Sequence, residues 1–280
     1  MAEIVACANQ KGGVGKTTTV INLAAYLALD GRRILLVDLD PQGNATSGLG
    51  IDRASLDVSA YDVLLSDVPL DQAICPTPIE GLDVLPSDRS LAGAEVELVP
   101  SGGRERRLKR VLRGQGDPYD FVLLDCPPSL GLLTVNGLTA ADAVLIPLQC
   151  EYYALEGLGQ LMATIELIRE HLNPNLSMKG VVLTMHDGRT SLSADVATEV
   201  RRHLGAKVFE AIVPRSVRLA EAPSYGQPIA GYSPNSRGAL AYRAIAAEFL
   251  ERSSLEPGAP LLQARQEYEA MRVGRNGEVS

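Results

Sequence analysis

The stretch of this sequence that decides the fold is Asn9-Gln10-Lys11-Gly12-Gly13-Val14-Gly15-Lys16-Thr17-Thr18-Thr19. The apolar run at 4–8 before it predicts a short buried strand, and residues 20–27 after it predict a helix. A glycine-rich loop between a strand and a helix indicates phosphate binding, because glycines let backbone N–H groups surround an anion. In such a loop Lys16 contacts the β- and γ-phosphates and the Thr17 hydroxyl binds Mg²⁺.

One part of this loop departs from the usual pattern. Glycine is usual at position 10, but this chain has Gln10 there, and an additional lysine, Lys11, follows it. Packing alone does not explain such a run of glycines, lysines and threonines at a strand–helix junction, so we interpret it as a phosphate-binding site. The second lysine adds positive charge at the mouth of the loop.

The composition is that of a soluble globular protein with a substantial core. The chain has 280 residues, of which 46% are hydrophobic and 21% charged, and it contains one large α/β domain or two small ones. Aromatic residues make up 4% and Trp is absent, which disfavours base-stacking surfaces for single-stranded nucleic acid. Because the net charge is -8, nucleic-acid binding requires a local basic patch.

The cysteines and the apolar runs indicate the cellular compartment of the protein. Cys7, Cys75, Cys126 and Cys150 are widely spaced without a CxxC pair, so we expect free, mostly buried thiols rather than a zinc site. The sequence begins directly with a core strand, and no apolar run reaches the length of a membrane span. We therefore expect a cytoplasmic protein.

Apolar runs that alternate with helical patterns predict a parallel sheet, because strands this rich in Val, Ile and Leu are typically covered on both faces. The predicted strands are 4–8, 34–38, 82–86, 121–125, 143–147, 180–184 and 208–213; the predicted helices are 20–27, 90–113 with an interruption at 100–103, 154–171, 192–203 and 236–252. The predicted fold class is α/β, a single-domain P-loop NTPase with a mostly parallel central sheet flanked by helices on both faces. Residues 1–252 form that domain, and 253–280 form a linker and a flexible tail that includes a short helix at 261–272.

Three carboxylates end predicted strands. Asp38 and Asp40 are two residues apart, so their side chains point to the same side while the chain is extended. Asp125 follows four apolar residues, a pattern that holds Mg²⁺ directly or through water. A single Asp at a strand end can equally cap a turn or a helix. Three of them near a phosphate loop favour metal binding and water positioning, since ligands bind beyond the carboxyl ends of parallel strands.

These motifs resemble those of the ParA/MinD family of deviant Walker A ATPases. Residues 11–18 resemble the deviant Walker A motif, 38–44 resemble switch I, and 125–129 resemble switch II. Further matches at 151–157, 187–190 and 214–224 favour the chromosomal ParA (Soj) branch over MinD. The resemblance covers residues 1 to roughly 250.

The resemblance implies a role for each matching residue. Lys16 contacts the nucleotide of its own subunit, whereas Lys11 reaches the phosphates held by a second subunit, which gives a dimer with ATP between its subunits. Asp40 orients the attacking water. Thr17 binds Mg²⁺ directly and Asp38 and Asp125 bind it through water. The implied nucleotide-binding residues are Lys11, Gly12, Gly13, Val14, Gly15, Lys16, Thr17 and Thr18, with Pro214 and Arg215 beside the adenine. Ser216 stands where the family usually has Asn, which leaves base contacts open there.

Basic residues outnumber acidic ones between positions 189 and 243, by eight to four. On composition alone this run is a solvated face. In Soj-like proteins, however, the positions of Arg189 and Arg218 bind DNA without sequence preference, and phosphate contacts of that kind depend strongly on salt. The denser run 104–113 has six basic residues and one acidic one; we interpret it as the outer face of an amphipathic helix.

The resemblance implies a partitioning ATPase that uses ATP and Mg²⁺. Its ATP-dependent homodimer binds double-stranded DNA of the nucleoid, and hydrolysis, stimulated by a ParB-type centromere-binding partner, releases it. One alternative is a MinD-like ATPase on a membrane, which requires a basic amphipathic tail helix. The tail stripe Leu261, Ala264, Tyr268 and Met271 has balanced charges around it, so we expect a frayed or partner-docking tail without stable membrane anchoring. A second alternative is an electron-transfer protein similar to the nitrogenase iron protein, and a third is a nucleotide-dependent scaffold without useful hydrolysis.

Overall fold

A seven-stranded sheet lies between two layers of helices, which confirms the predicted fold class. The computed structural model describes residues 2–114 and 118–276. The strands are β1 (Glu3–Cys7), β2 (Ile34–Asp38), β3 (Cys75–Pro76), β4 (Leu82–Leu85), β5 (Phe121–Asp125), β6 (Ala143–Gln149) and β7 (Ser177–Thr184). The helices are α1 (Lys16–Leu29), α2 (Asn44–Gly48), α3 (Ala60–Leu65), α4 (Leu70–Ala73), α5 (Leu91–Glu97), α6 (Arg107–Gly114), α7 (Leu132–Ala140), α8 (Ala154–His171), α9 (Ser191–Leu204), α10 (Val217–Glu221), α11 (Ile229–Tyr232), α12 (Arg237–Arg252) and α13 (Ala259–Asn276).

The order of the strands brings the predicted site residues to one edge. The order is β3-β4-β2-β5-β1-β6-β7, and all neighbours are parallel except β3 and β4. Asp38 on β2 and Asp125 on β5 are direct register partners, and Asp125 is also paired with Cys7 at the end of β1. Because parallel strands end at the same edge, the loop after β1 and both aspartates meet there.

The two faces of the sheet form two hydrophobic cores. One core packs α3 to α9 against the sheet, and the other packs α1, α2, α11, α12 and α13 against the opposite face. Strands β2 and β5 are buried along their whole length, because their apolar side chains alternate between these two cores. The rigid sheet therefore holds the loops at its carboxyl edge in place.

Two strand predictions differ from the structure. Residues 208–213 were predicted as a strand, and that prediction is wrong: Val208 and Pro214 make isolated bridges to β7 and to His186. The segment bends at 210–211, where the N–H of Glu210 donates to the Glu248 carboxylate at 2.9 Å. Antiparallel β3 was not predicted, because two residues carry no periodic pattern.

The cysteines are free, as predicted. Cys7, Cys126 and Cys150 are buried, and Cys75 is partly buried. Burial is the main reason that the pKa of the Cys126 thiol is raised to about 12 and that of Cys150 to about 11. These thiols are protonated and pack as small apolar groups.

The tail helix α13 packs against α12 of the same chain. Its stripe of Leu261, Ala264 and Tyr268 is buried in the core beside that helix. The Tyr268 hydroxyl also bonds to the backbone of Ile212, accepting from its N–H at 2.8 Å and donating to its carbonyl at 3.0 Å. Within the described ranges, no helix combines the length and the apolar character that crossing a membrane requires.

Candidate nucleotide-binding site

The phosphate loop is held by contacts to two strands. Asn9 donates from its side chain to the carbonyl of Pro147 on β6 at 2.7 Å and accepts from the N–H of Lys11 at 3.0 Å. Thr184 at the end of β7 donates to the carbonyl of Val14 at 2.8 Å. Gly15 has a φ of 88°, a left-handed conformation that favours glycine, and α1 begins directly after it. No side chain caps α1, so its first N–H groups are free to bind an anion.

The two lysines of the loop lie in different environments. Lys16 is 7% exposed, and its Nζ lies 3.3 Å from the carbonyl oxygen of Lys11, inside the curve of the loop. The Lys11 side chain is 41% exposed and forms an ion pair with Glu151 just before α8. One ammonium is therefore placed for phosphates within this subunit, and the other lies on the surface.

Asp38 is fully buried and fully hydrogen-bonded. Its carboxylate accepts from the N–H of Asp40 at 3.1 Å and from the N–H and hydroxyl of Thr46 at 2.8 and 2.7 Å. Burial raises the pKa of Asp38 to about 6, although the Thr46 bonds oppose that rise. Asp38 thus caps the start of α2, in agreement with the capping role that a strand-terminal Asp can take, and it also lies beside Asp125.

Asp125 is the buried carboxylate without a partner at this site. Neither of its oxygens accepts a hydrogen bond of ordinary geometry from the described residues, although the nearby Thr17 hydroxyl lowers its pKa. Burial, followed by the charge of Asp38, raises the pKa of Asp125 well above its usual range. A divalent cation would remove this cost, so Asp125 and Thr17 fit Mg²⁺.

The site fits a cation that takes some of its ligands from outside the protein. Across residues 2–114 and 118–276, no group of three or more His, Cys, Asp or Glu side chains could hold a metal by itself. Mg²⁺ usually takes one or two protein oxygens and completes its octahedron with phosphate and water. When bound, it would neutralise phosphate charge, while Thr17 and Asp125 hold it at the strand edge.

Asp40 lies at the mouth of the site and is 9% exposed. One of its carboxylate oxygens accepts from the N–H of Gln42 at 2.9 Å, and its backbone carbonyl accepts from the Ser87 hydroxyl at 2.7 Å. The second carboxylate oxygen has no hydrogen bond within the described part of the chain. Asp40 is thus held by a turn and keeps one oxygen available for a water.

A hollow of about 220 Å³ adjoins the phosphate loop. Its lining includes Gly15, Thr18, Met185, Pro214, Arg215 and Ser216. The backbone N–H of Arg215 donates to the carbonyl of His186 at 3.0 Å, which brings the 214–218 segment to the end of β7. The hollow is wide enough to be a candidate site for the base, and the adenine contacts of Pro214 and Arg215 stay a prediction.

Arg189 and Arg218 lie on neighbouring surface segments. Arg189 forms a two-point ion pair with Asp187, at 2.9 and 2.7 Å, and Arg218 pairs with Glu221 at 3.1 Å. Their side chains are 86% and 61% exposed. The contact between His186 and Pro214 brings the two segments together, away from the interior of the phosphate loop.

Comparisons with known proteins agree with this geometry. Residues 2–178 match the AAA domain family. The sporulation initiation inhibitor protein Soj of Bacillus subtilis is 56% identical over 248 residues, which cover 89% of this chain and 98% of that protein. The chromosome partitioning protein ParA of Myxococcus xanthus is 53% identical over 254 residues, covering 91% and 90%. This chain belongs to the ParA/MinD family of P-loop ATPases, in its Soj branch.

Solved structures share the fold of this Soj-branch chain. A cobyrinic acid a,c-diamide synthase from Mycobacterium smegmatis with bound ADP and magnesium is 43% identical, with a TM-score of 0.79, over 93% of this chain and 100% of that one. The cell division ATPase MinD of Pyrococcus furiosus is 27% identical, with a TM-score of 0.73, over 91% and 99%. The likeness shows that this chain has the fold of these two proteins.

Sequence reasoning missed three residues of this family member that support the site. Thr46 and Ser87 hold the two aspartates of switch I, and Met185 lines the hollow beside Gly15. Met185 has a φ of 51°, which is uncommon for a residue other than glycine. The position of Met185 directly after a strand could have identified it from the sequence. Ser87 could not have been identified, because its contact with Asp40 is between residues far apart in the sequence.

The buried Asp38 predicts a pH dependence of stability. Its pKa is about 6 in the folded chain against 3.8 ordinarily, so folding favours its protonated form. The stabilisation of the folded chain is complete below about pH 4 and is lost as the pH rises through 6. Its loss lowers the free energy of unfolding by about 3 kcal/mol. We expect Asp38→Asn to reduce this loss, as measured by urea unfolding at pH 4 and pH 7 without nucleotide or Mg²⁺; Asp125, whose pKa is also raised by burial, accounts for the rest. An unchanged difference between the two pH values would contradict the assignment.

Proposed function

We propose that this chain is a chromosome- or plasmid-partitioning ATPase whose ATP-bound homodimer binds double-stranded DNA without sequence preference. A ParB-type partner stimulates hydrolysis, and loss of the γ-phosphate releases the dimer and the DNA. The observation that carries this proposal is the opposite placement of the two loop lysines. Lys16 points into its own loop, whereas Lys11 is exposed and available to a second copy.

The surface around Lys11 suits contact with a second copy. Glu151 holds the Lys11 ammonium, and the next two residues, Tyr152 and Tyr153, are 76% and 65% exposed. Their rings contact each other edge to face, with centroids 5.2 Å apart. Exposed tyrosines beside a charged pair are typical of interface centres. Two triphosphates that face each other need the added positive charge that Lys11 from each subunit supplies.

The geometry supports a role for each residue of the active site. Lys16 and the first N–H groups of α1 bind the phosphates, Thr17 would bind Mg²⁺ directly, and Asp125 would bind it through water. Asp38 keeps the switch I backbone in place through its bonds to Thr46 and Asp40, and would bind Mg²⁺ through water. Asp40 orients the attacking water with its unpartnered oxygen.

The experiment that tests this function is DNA binding by the full chain. Random-sequence duplex DNA is titrated with ATP, ADP or no nucleotide over a range of salt. We expect binding with ATP and an order of 10- to 100-fold weaker binding by Arg189→Ala/Arg218→Ala, with a salt slope reduced by about 2 per subunit. The variant Arg202→Ala/Lys207→Ala removes the same charge from the same basic run and serves as the control.

Two outcomes would contradict the proposal. If DNA binding is the same with ATP, with ADP and without nucleotide, ATP does not act as the switch. If Arg189→Ala/Arg218→Ala leaves DNA binding unchanged, these two arginines do not contact DNA.

The MinD-like alternative, binding to a membrane, is tested by flotation with anionic vesicles and ATP. The apolar stripe of α13 is buried against α12, which disfavours insertion of that helix into a bilayer.

A further inference from the structure

Four basic side chains surround a hollow on the surface at α6. The hollow has a volume of about 420 Å³ and is lined by Gly102, Gly103, Arg106, Lys109, Arg110 and Arg113. Arg106 ends a 3-10 turn directly before α6, and the four basic residues follow one another at the spacing that places them on one helical face. We call these four residues the α6 basic cluster.

Acidic side chains neutralise little of this cluster. Arg113 pairs with Asp142 at 3.2 Å, and Arg110 donates to the carbonyl of Gly103 at 3.1 Å. Among the described residues, the side chains of Arg106 and Lys109 have no hydrogen bond and no ion pair. Four positive charges therefore lie beside two carboxylates, Asp142, which pairs with Arg113, and Glu105, which pairs with Arg104, although the chain as a whole has a net charge of -8.

The cluster is electrostatically strained in the free chain. Partial burial, and then the charges of Arg113 and Arg106, lower the pKa of Lys109. An anion in the hollow would relieve this repulsion. At Gly102 an added Cβ would meet nothing within 4 Å, so the rim is open to an approaching phosphate.

The shape of the cluster favours a polymer over a single phosphate. Arg113 lies seven positions after Arg106 along the chain, which corresponds to a helical rise of about 10 Å. One DNA strand carries a phosphate about every 3.4 Å of helix axis, so the cluster spans about three of them. The apolar side of α6 is not available to a membrane, because Leu108 is fully buried and Val111 and Leu112 pack on the core.

We propose that the α6 basic cluster binds the phosphate backbone of double-stranded DNA, as a second contact surface besides Arg189 and Arg218. Helices α6 and α9 pack on the same face of the sheet, at different positions along it. This inference rests on the proposed DNA binding of the chain.

The test compares the full chain with Arg106→Ala/Lys109→Ala in titrations of random-sequence duplex DNA, with ATP and Mg²⁺, over a range of salt. We expect the variant to bind on the order of 10-fold more weakly, with a salt slope reduced by about 2 per subunit. The variant Arg33→Ala/Arg169→Ala removes two exposed charges elsewhere and should stay within about twofold of the original chain. Unchanged basal hydrolysis and melting temperature show that the cluster variant is folded.

The outcomes separate this inference from the proposed function. If Arg189→Ala/Arg218→Ala weakens binding and the cluster variant does not, the cluster inference is overturned and the proposed function stands. If the original chain binds no DNA, both are overturned. If inorganic tripolyphosphate binds at the cluster while DNA affinity is unchanged in the variant, the ligand is a small anion and the DNA assignment is wrong.

Discussion

We expect Lys16→Ala to lower both ATP affinity and ATP hydrolysis by at least about 100-fold, because it removes the ammonium that lies inside the phosphate loop. The Lys16 side chain is buried and meets one carbonyl at 3.3 Å, so the nucleotide-free fold loses little when it is truncated. Titration with a fluorescent ATP analogue measures the affinity, and phosphate release measures the hydrolysis. Thermal unfolding without nucleotide confirms that the variant is folded.

Lys11→Ala is the matched comparison, since it removes the same charge from the other end of the same loop. We expect this variant to bind ATP within a few-fold of the original chain, but to lose ATP-dependent dimerisation in light scattering. The expected difference follows from exposure, because the Lys11 ammonium pairs with Glu151 at the surface. If Lys11→Ala loses nucleotide binding as severely as Lys16→Ala, Lys11 acts within its own subunit and the dimer mechanism is wrong.

We expect Asp40→Asn to lower hydrolysis by about 10²- to 10³-fold and to leave the proposed ATP-dependent DNA binding in place. The side-chain oxygen of asparagine can still accept from the N–H of Gln42, so the turn that holds position 40 is kept. What is lost is the negative charge that orients and polarises a water. Single-turnover hydrolysis and duplex DNA binding, measured on the same preparation, separate the two effects.

Two further variants at this site act as controls for Asp40→Asn. Asp40→Ala removes both the charge and the side-chain bond to the N–H of Gln42, so it should also weaken ordering of switch I. Ser87→Ala removes the 2.7 Å bond to the Asp40 carbonyl and keeps the carboxylate, so its effect on hydrolysis should be smaller. If Asp40→Asn hydrolyses ATP at close to the original rate, Asp40 does not orient the attacking water.

Local features of the chain account for what the sequence predicted well. The strand at 4–8, the glycine loop and the helix after it are contiguous, and their patterns report directly on local backbone preference. The long helix at 154–171 was predicted with the bounds that α8 has. The prediction of a strand at 208–213 was wrong, because the backbone there bends to bond with Glu248 although its apolar residues are buried beside β7.

The sequence by itself determined the phosphate loop, the parallel α/β fold and the positions of Lys11, Lys16 and Asp40, because residue type and short spacing suffice for those. Only the tertiary structure decided how these residues differ. Lys11 is paired across 140 positions with Glu151, and the Asp40 carbonyl is held across 47 positions by Ser87. Asp125 has a raised pKa because strand pairing places it, buried, beside Asp38. Burial and long-range pairing exist only once the chain has folded, and they separate the lysine that faces inward from the one that lies on the surface.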